Sequence, residues 1–64
     1  MRKTVKQIIT LIEADGWYLS RQKGSHKQYI HPIKKGVVTV PDHGKNTELD
    51  HFVVSSIMKQ AGLK

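Results

Sequence analysis

Apolar residues recur at helical spacing near the start of the chain. Between Thr4 and Asp15 they mark one face of a predicted helix: Val5, Ile8, Ile9, Leu11 and Ile12. Thr4 and Gln7 have the spacing of a capping box, and Gly16 follows where a helix commonly closes in a left-handed residue. The pattern therefore predicts an amphipathic helix over residues 4–15 that buries one stripe.

The middle of the chain changes to short segments that favour strands. Residues 17–21, 26–31 and 37–40 are rich in aromatic and β-branched side chains. Turn-forming stretches separate them, one containing Gly24 and the other beginning with Pro32. Because such short connections join antiparallel neighbours, the pattern predicts a three-stranded antiparallel sheet over residues 17–40.

A second helical pattern occupies residues 50–61. Its apolar face carries Val53, Val54, Ile57, Met58 and Ala61. Leu49 and Phe52 can continue that face backward, and Gly62 is placed to close the helix. Three residues are competent N-caps: Asn46, Thr47 and Asp50. Two apolar helix stripes need one sheet face to pack on, so we expect an α+β two-layer sandwich with both helices on one face and the other face open.

Positive charge is concentrated in one segment. The chain of 64 residues has eleven Lys and Arg against five Asp and Glu, a net charge of +6. Residues 21–36 contain no acid and five of the basic residues: Arg21, Lys23, Lys27, Lys34 and Lys35. A small protein can be basic for solubility alone, but this concentration favours a polyanionic partner.

Length and composition exclude several classes of protein. We expect one small domain over residues 1–64, with a modest core. The chain has no cysteine, which excludes disulfides, thiolate zinc sites and cysteine nucleophiles. No apolar run approaches the roughly 18 residues that cross a bilayer, and Lys6 and Gln7 interrupt the apolar stretch near the N-terminus. These features predict a soluble cytoplasmic protein.

Histidine is the side chain best suited to proton transfer near neutral pH, and the chain has four: His26, His31, His43 and His51. His31 precedes Pro32 at a predicted strand end, where we expect it to fix the turn by hydrogen bonding. We expect His43 and His51 to be solvated. There is no cysteine and no His-x-x-x-His pair on a helix, so neither a metal nor another cofactor is expected.

His26 differs from the other histidines in its surroundings. It directly follows Gly24 and Ser25 in the predicted hairpin turn. The neighbouring cations are Arg21, Lys23 and Lys27. A phosphodiester drawn to this basic edge would lie within reach of the imidazole, and the cations could stabilise the extra charge of a phosphorane transition state. The spacing alone also fits an ordinary turn histidine.

A series of short motifs runs along the chain in a fixed order. They are Gly16-Trp17, Arg21-Gln22-Lys23-Gly24-Ser25-His26, His31-Pro32, Lys35-Gly36, Thr39-Val40-Pro41 and Ile57-Met58-Lys59-Gln60-Ala61-Gly62-Leu63. Together they resemble the HicA-type toxins, small mRNA interferases of type II toxin–antitoxin modules. The resemblance covers nearly the whole chain, and it implies a fold similar to a double-stranded-RNA-binding domain.

The resemblance also implies an activity and a partner. The activity is ribosome-independent cleavage of mRNA by one histidine in a Gly-Ser-His motif, which is His26 in this sequence. The partner is a HicB-type antitoxin, whose folded domain covers the active site. Contact with DNA would be indirect, through the DNA-binding region of that antitoxin.

The leading hypothesis is therefore an RNA endonuclease toxin with His26 as its catalytic residue. The expected RNA-binding residues are Arg21, Lys23, Gly24, Ser25 and Lys27, with Lys34, Lys35 and Lys45 contributing more diffusely. Attack by the neighbouring 2′-hydroxyl would need no metal and would spare DNA. Two alternatives stay open: a non-catalytic RNA-binding module of the same shape, and an interaction protein whose basic face binds an acidic partner.

Overall fold

Seven elements follow one another in the computed structural model, which describes residues 2–64. They are β1 (Lys3–Thr4), α1 (Val5–Ala14), β2 (Tyr18–Lys23), β3 (His26–Ile30), β4 (Val38–Pro41), β5 (Glu48–Leu49) and α2 (His51–Gln60). The predicted order of helix, three strands and helix is confirmed. The short strands β1 and β5 were not predicted from the sequence.

The central sheet is an antiparallel meander in the order β2-β3-β4. The two residues Gly24 and Ser25 form the hairpin turn, so that Lys23 pairs with His26 directly across it. The register shifts between Leu19 and Arg21, which marks a β-bulge in β2. The predicted three-stranded antiparallel sheet is therefore confirmed.

One face of this sheet forms the core with both helices. Tyr29, Val38 and Val40 point to the same side and are at most 2% exposed. They pack with buried residues of the helices and their flanks: Val5, Ile8, Ile12, Trp17, Leu49, Val54, Ile57 and Ala61. The prediction of both helices on one sheet face is confirmed. Every residue of β2 is exposed, so this edge strand extends beyond the helix layer.

Helix α1 begins and ends as its sequence predicts. The Thr4 side chain accepts a hydrogen bond from the Gln7 amide, and the Gln7 side chain accepts one from the Thr4 amide, which completes the capping box. At the other end, the amide of Gly16 bonds the carbonyl of Glu13, and the amide of Trp17 bonds that of Ile12. This is the Schellman pattern that a glycine at this position favours.

The structure settles the start of α2. Asp50 is its N-cap, and the carboxylate of Asp50 accepts a hydrogen bond from the amide of Val53 at 2.9 Å. Leu49 is buried but lies in β5, so it reaches the core from outside the helix. Phe52 is 81% exposed, so the interpretation that it continues the buried stripe was wrong.

The loop before α2 is fastened to the start of α1. Strands β1 and β5 pair antiparallel, and the amides of Val5 and Lys6 donate to the carbonyls of Thr47 and Lys45 at 2.9 and 3.1 Å. These bonds use amides that the first turn of a helix otherwise leaves without partners. Within residues 2–64, no helix has the length and apolar character that a membrane crossing requires.

Candidate nucleic-acid interface

The strand register places His26 between two other residues in a row across the open sheet face. Lys23 lies opposite His26 on β2, and Pro41 lies opposite it on β4. Directly paired residues share one face of an antiparallel sheet, and every second residue of a strand returns to that face. The next row on the same face is therefore Arg21, Gln28 and Thr39. The result is an exposed imidazole beside two exposed cationic side chains, Arg21 and Lys23.

The turn that presents His26 is held by hydrogen bonds to both of its carbonyl groups. The Gln22 side-chain amide donates to the carbonyl of Gly24 at 3.0 Å, and the backbone amide of Asp42 donates to the carbonyl of Ser25 at 2.6 Å. Within residues 2–64, the His26 ring itself makes no hydrogen bond or ion pair. A fixed backbone therefore carries a ring whose two nitrogens are available to a ligand.

Lys27 lies on the other face of the sheet, since it follows His26 in β3. Its ammonium group forms an ion pair with Asp42 at 2.6 Å, with side-chain exposures of 25% and 14%. The hydrogen bond from Lys27 is the main reason that the pKa of Asp42 lies below its ordinary value, and the amide of Gly44 adds to it. The same bond raises the pKa of Lys27. The structure thus separates Lys27 from the row that contains His26.

Lys34 is engaged at the ends of both helices. Its ammonium group lies 2.5 Å from Asp15 Oδ2 and 3.1 Å from the carbonyl oxygen of Ala61. The indole N–H of Trp17 donates to the same two acceptors at 3.2 and 3.3 Å. A cation at helix C-termini is favourable because the carbonyl groups there carry partial negative charge. The hydrogen bond from Lys34 lowers the pKa of Asp15, although desolvation opposes that shift.

The other two predicted cations lie outside the row. Lys35 is exposed in the turn between β3 and β4, and Lys45 is exposed in the loop before β5. The RNA contacts predicted for Lys27, Lys34, Lys35 and Lys45 stay predictions. Of the five cations in residues 21–36, the structure brings only Arg21 and Lys23 onto the face of His26.

His31 has a structural role, as the sequence predicts. Its Nδ1 atom accepts hydrogen bonds from the amides of Ile33 and Lys34, both at 3.0 Å. Since Nδ1 accepts, Nε2 carries the proton and donates to the carbonyl oxygen of Asp15 at 2.7 Å. The Trp17 ring meets the imidazole edge-on, with centroids 5.2 Å apart. Both nitrogens of His31 are therefore used by the backbone, in contrast to those of His26.

The remaining histidines lie apart from the open face. His43 is exposed in the loop after β4, and His51 begins α2 with its ring edge-on to that of Phe52 at 5.6 Å. Within residues 2–64, no three His, Asp or Glu side chains converge as a metal site requires.

Sequence reasoning missed one polar residue beside His26. Gln28 belongs to the open face and pairs with Arg21, so its amide extends the polar surface next to the cations. The signal that could have identified it is the alternation of a strand, because Gln28 lies two residues after His26.

The fold and this surface define a small α+β protein whose central hairpin presents a histidine among cations on an open sheet face. Comparison with protein families identifies the particular class. The family described as the HicA toxin of bacterial toxin–antitoxin matches residues 5–63. The chain therefore belongs to the HicA toxin family, and it is the toxin of a module that also contains an antitoxin. Comparison with individual curated proteins gives no significant match.

Proposed function

We propose that this toxin is a metal-independent endoribonuclease that cleaves mRNA with His26 as its single catalytic histidine. The observation that carries the proposal is the row formed by Lys23 and His26 on the open face, with Arg21 beside it. A free imidazole and two cations are the groups that phosphodiester cleavage needs, one for proton transfer and two for the charge of the phosphate.

The reaction is an attack by the RNA on its own backbone. His26 takes the proton of the 2′-hydroxyl, and the 2′-oxygen forms a bond to the adjacent phosphorus atom. The bond from phosphorus to the 5′-oxygen breaks, and that oxygen takes up a proton from water and leaves as a hydroxyl, while the proton on His26 returns to solvent. The products are a 2′,3′-cyclic phosphate and a 5′-hydroxyl end. Lys23 and Arg21 stabilise the charge that develops on the phosphate oxygens.

The binding surface extends from this row. Arg21 and Lys23 hold the phosphate at His26, and the turn formed by Gly24 and Ser25 leaves the strand room to approach. Lys27, Lys35 and Lys45 contact the RNA farther from the cleaved bond. Lys34, whose ammonium group is engaged by Asp15, adds positive charge at longer range. A single RNA strand fits such a surface, because its bases and 2′-hydroxyl groups are accessible.

The test is cleavage of a single-stranded RNA in EDTA by the parent and by His26→Ala. General acid–base catalysis contributes roughly 100-fold to 10,000-fold, so the variant should cleave near background while its RNA affinity changes little. His43→Ala is the matched control, since it removes an exposed loop histidine. An RNA with a 2′-deoxy group at the cleaved position should bind and resist cleavage.

Two results would overturn the proposal. One is cleavage by folded His26→Ala at a rate within a few-fold of the parent. The other is RNA binding by the parent with no cleavage under any condition, which would return the protein to the non-catalytic RNA-binding alternative. Cleavage that EDTA abolishes and Mg²⁺ restores would refute metal independence alone.

We further propose that the antitoxin is an acidic HicB-type protein that covers the open face in the cytoplasm. The net charge of +6 and the exposed cations around His26 support an acidic partner. Because the partner binds only the folded toxin, it should raise the melting temperature of the toxin as its concentration increases. Co-expression should also restore growth. An adjacent gene product that fails to bind would refute this assignment and leave the nuclease proposal standing.

A further inference from the structure

A pocket lies at the end of the sheet near His26, on the side that faces the helices. Its volume is about 180 Å³, and its lining is Val5, Lys6, Ile9, Lys27, Asp42 and Lys45. Val5 and Ile9 supply an apolar floor from α1, and the lysines supply the charge around it. Three lysines and one aspartate give the lining a net charge of +2.

The pocket is built by contacts between distant parts of the chain. The amide of Lys6 donates to the carbonyl of Lys45 at 3.1 Å, which holds the loop before β5 against α1. Asp42 accepts from the amide of Gly44 at 3.0 Å and from the ammonium group of Lys27 at 2.6 Å. One of the three lysines is therefore paired. Within residues 2–64, the side chains of Lys6 and Lys45 form no ion pair.

The pocket adjoins the row that contains His26. Asp42 follows Pro41, the partner of His26 on β4, and its amide donates to the carbonyl of Ser25 at 2.6 Å. Lys27 follows His26 in β3 and points to the helix side. A single RNA strand that lies across His26 on the open face can therefore pass over this end of the sheet and reach the lysines within a short length of chain.

We propose that this pocket binds a backbone phosphate of the same RNA strand, outside the nucleotides that flank the cleaved bond. That the ligand is RNA rests on the proposed function. That the phosphate binds here rests on the three lysines that line the pocket. Lysine binds phosphate as a point charge, and the two lysines without an ion pair line the pocket from different elements, Lys6 from α1 and Lys45 from the loop before β5. Sequence reasoning missed Lys6, because it lies in a helix far along the chain from the basic segment.

The test uses binding, so that it does not depend on cleavage. All proteins carry His26→Ala, and the ligands are a single-stranded RNA of about twelve nucleotides and a dinucleotide, both titrated at several salt concentrations. Lys6→Ala/Lys45→Ala is compared with Lys59→Ala/Lys64→Ala, which removes the same charge from the last turn of α2 and from the segment that follows it. Loss of one phosphate contact should flatten the slope of log affinity against log salt by about 0.7 for the longer RNA.

The expected result is that, at about 0.1 M salt, affinity for the longer RNA weakens about fivefold more than in the control, while affinity for the dinucleotide falls no more than in the control. Equal effects of the two double variants on the longer RNA would overturn the proposal, since charge alone would then explain both. The proposal would also be overturned if Lys6→Ala/Lys45→Ala lowered affinity for the dinucleotide as much as it lowers affinity for the longer RNA. If the parent protein, with His26 intact, binds RNA but does not cleave it, the proposed function is refuted. The binding measurements would still show whether the pocket holds a phosphate.

Discussion

The Nε2 atom of His31 lies 2.7 Å from the carbonyl oxygen of Asp15, the residue that caps the C-terminus of α1. The bond joins the end of the first helix to the chain just after β3, while Nδ1 accepts from the amides of Ile33 and Lys34. One neutral ring therefore satisfies three backbone groups and sets the direction of the chain as it leaves the central strand. No such bond restrains His26 within the described residues.

His31→Ala should lower the free energy of unfolding and leave the chemistry intact. The variant leaves the amides of Ile33 and Lys34 and the carbonyl of Asp15 without their partner, which costs about 1–3 kcal/mol. Urea denaturation measures this loss, and cleavage per folded molecule should match the parent. His43→Ala should change stability by less than about 0.5 kcal/mol. A stable His31→Ala protein that has lost cleavage would contradict the structural role.

Gly16→Ala should destabilise the protein more than Gly36→Ala. Both glycines have a positive φ, of 107° and 93°, so both substitutions carry a backbone strain of about 1–2 kcal/mol. A Cβ atom at Gly16 would also lie 2.7 Å from His31 Nε2, whereas one at Gly36 would meet nothing within 4 Å. The difference in urea midpoint between the two variants measures the free-energy cost of displacing the His31 ring. Equal midpoints would show that the ring moves aside at no cost.

Asp15→Asn should lower the free energy of unfolding at neutral pH. The variant should also lose less of that free energy than the parent does as the pH falls into the acid range. The hydrogen bond from Lys34 holds the pKa of Asp15 below its ordinary value of 3.8. The unfolded state therefore binds the proton first, and the contribution of this carboxylate to stability is present above that value and is lost as the pH falls through the folded pKa. The melting temperatures of parent and variant, measured from neutral pH into acid, give this contribution. Plots of melting temperature against pH that stay parallel for the two proteins would refute this role for Asp15.

The sequence was most informative where a pattern extends over many residues. Both ten-residue helices show the helical period, and the Gly24-Ser25 turn determines that Lys23 faces His26. Strands β1 and β5 are two residues long, so no alternation could reveal them. Neighbouring residues of a strand point to opposite faces, so the sequence alone could have placed Lys27 on the face opposite His26. The cations of residues 21–36 could therefore have been assigned to more than one face.

The role of Lys34 could not be predicted from any local pattern. Its two acceptors lie 19 and 27 residues away in the chain, on Asp15 and Ala61, and only the packed fold brings them together. The pocket lined by Lys6, Lys27 and Lys45 could not be predicted from a local pattern either. These lysines line one pocket because backbone hydrogen bonds hold the loop before β5 against α1. Charge counts identify a basic segment, but they cannot say which ammonium groups the fold itself uses.

Lys23 and Lys34 should therefore contribute differently to RNA binding, although both belong to the basic segment. Lys23 is exposed beside His26, whereas Lys34 is held by Asp15 and the carbonyl of Ala61. In a His26→Ala background, Lys23→Ala should flatten the slope of log affinity against log salt by about 0.7, the value for one phosphate of a single strand. Lys34→Ala should change that slope little and should lower the melting temperature instead.

Fluorescence anisotropy with a labelled single-stranded RNA, between low and physiological ionic strength, measures the two slopes, and circular dichroism measures the two melting temperatures. Lys59→Ala, on α2, corrects both for the loss of one charge. If Lys34→Ala flattens the slope as much as Lys23→Ala does, the ammonium group of Lys34 leaves Asp15 to bind phosphate. If neither variant changes the slope, the open face around His26 does not hold the RNA backbone.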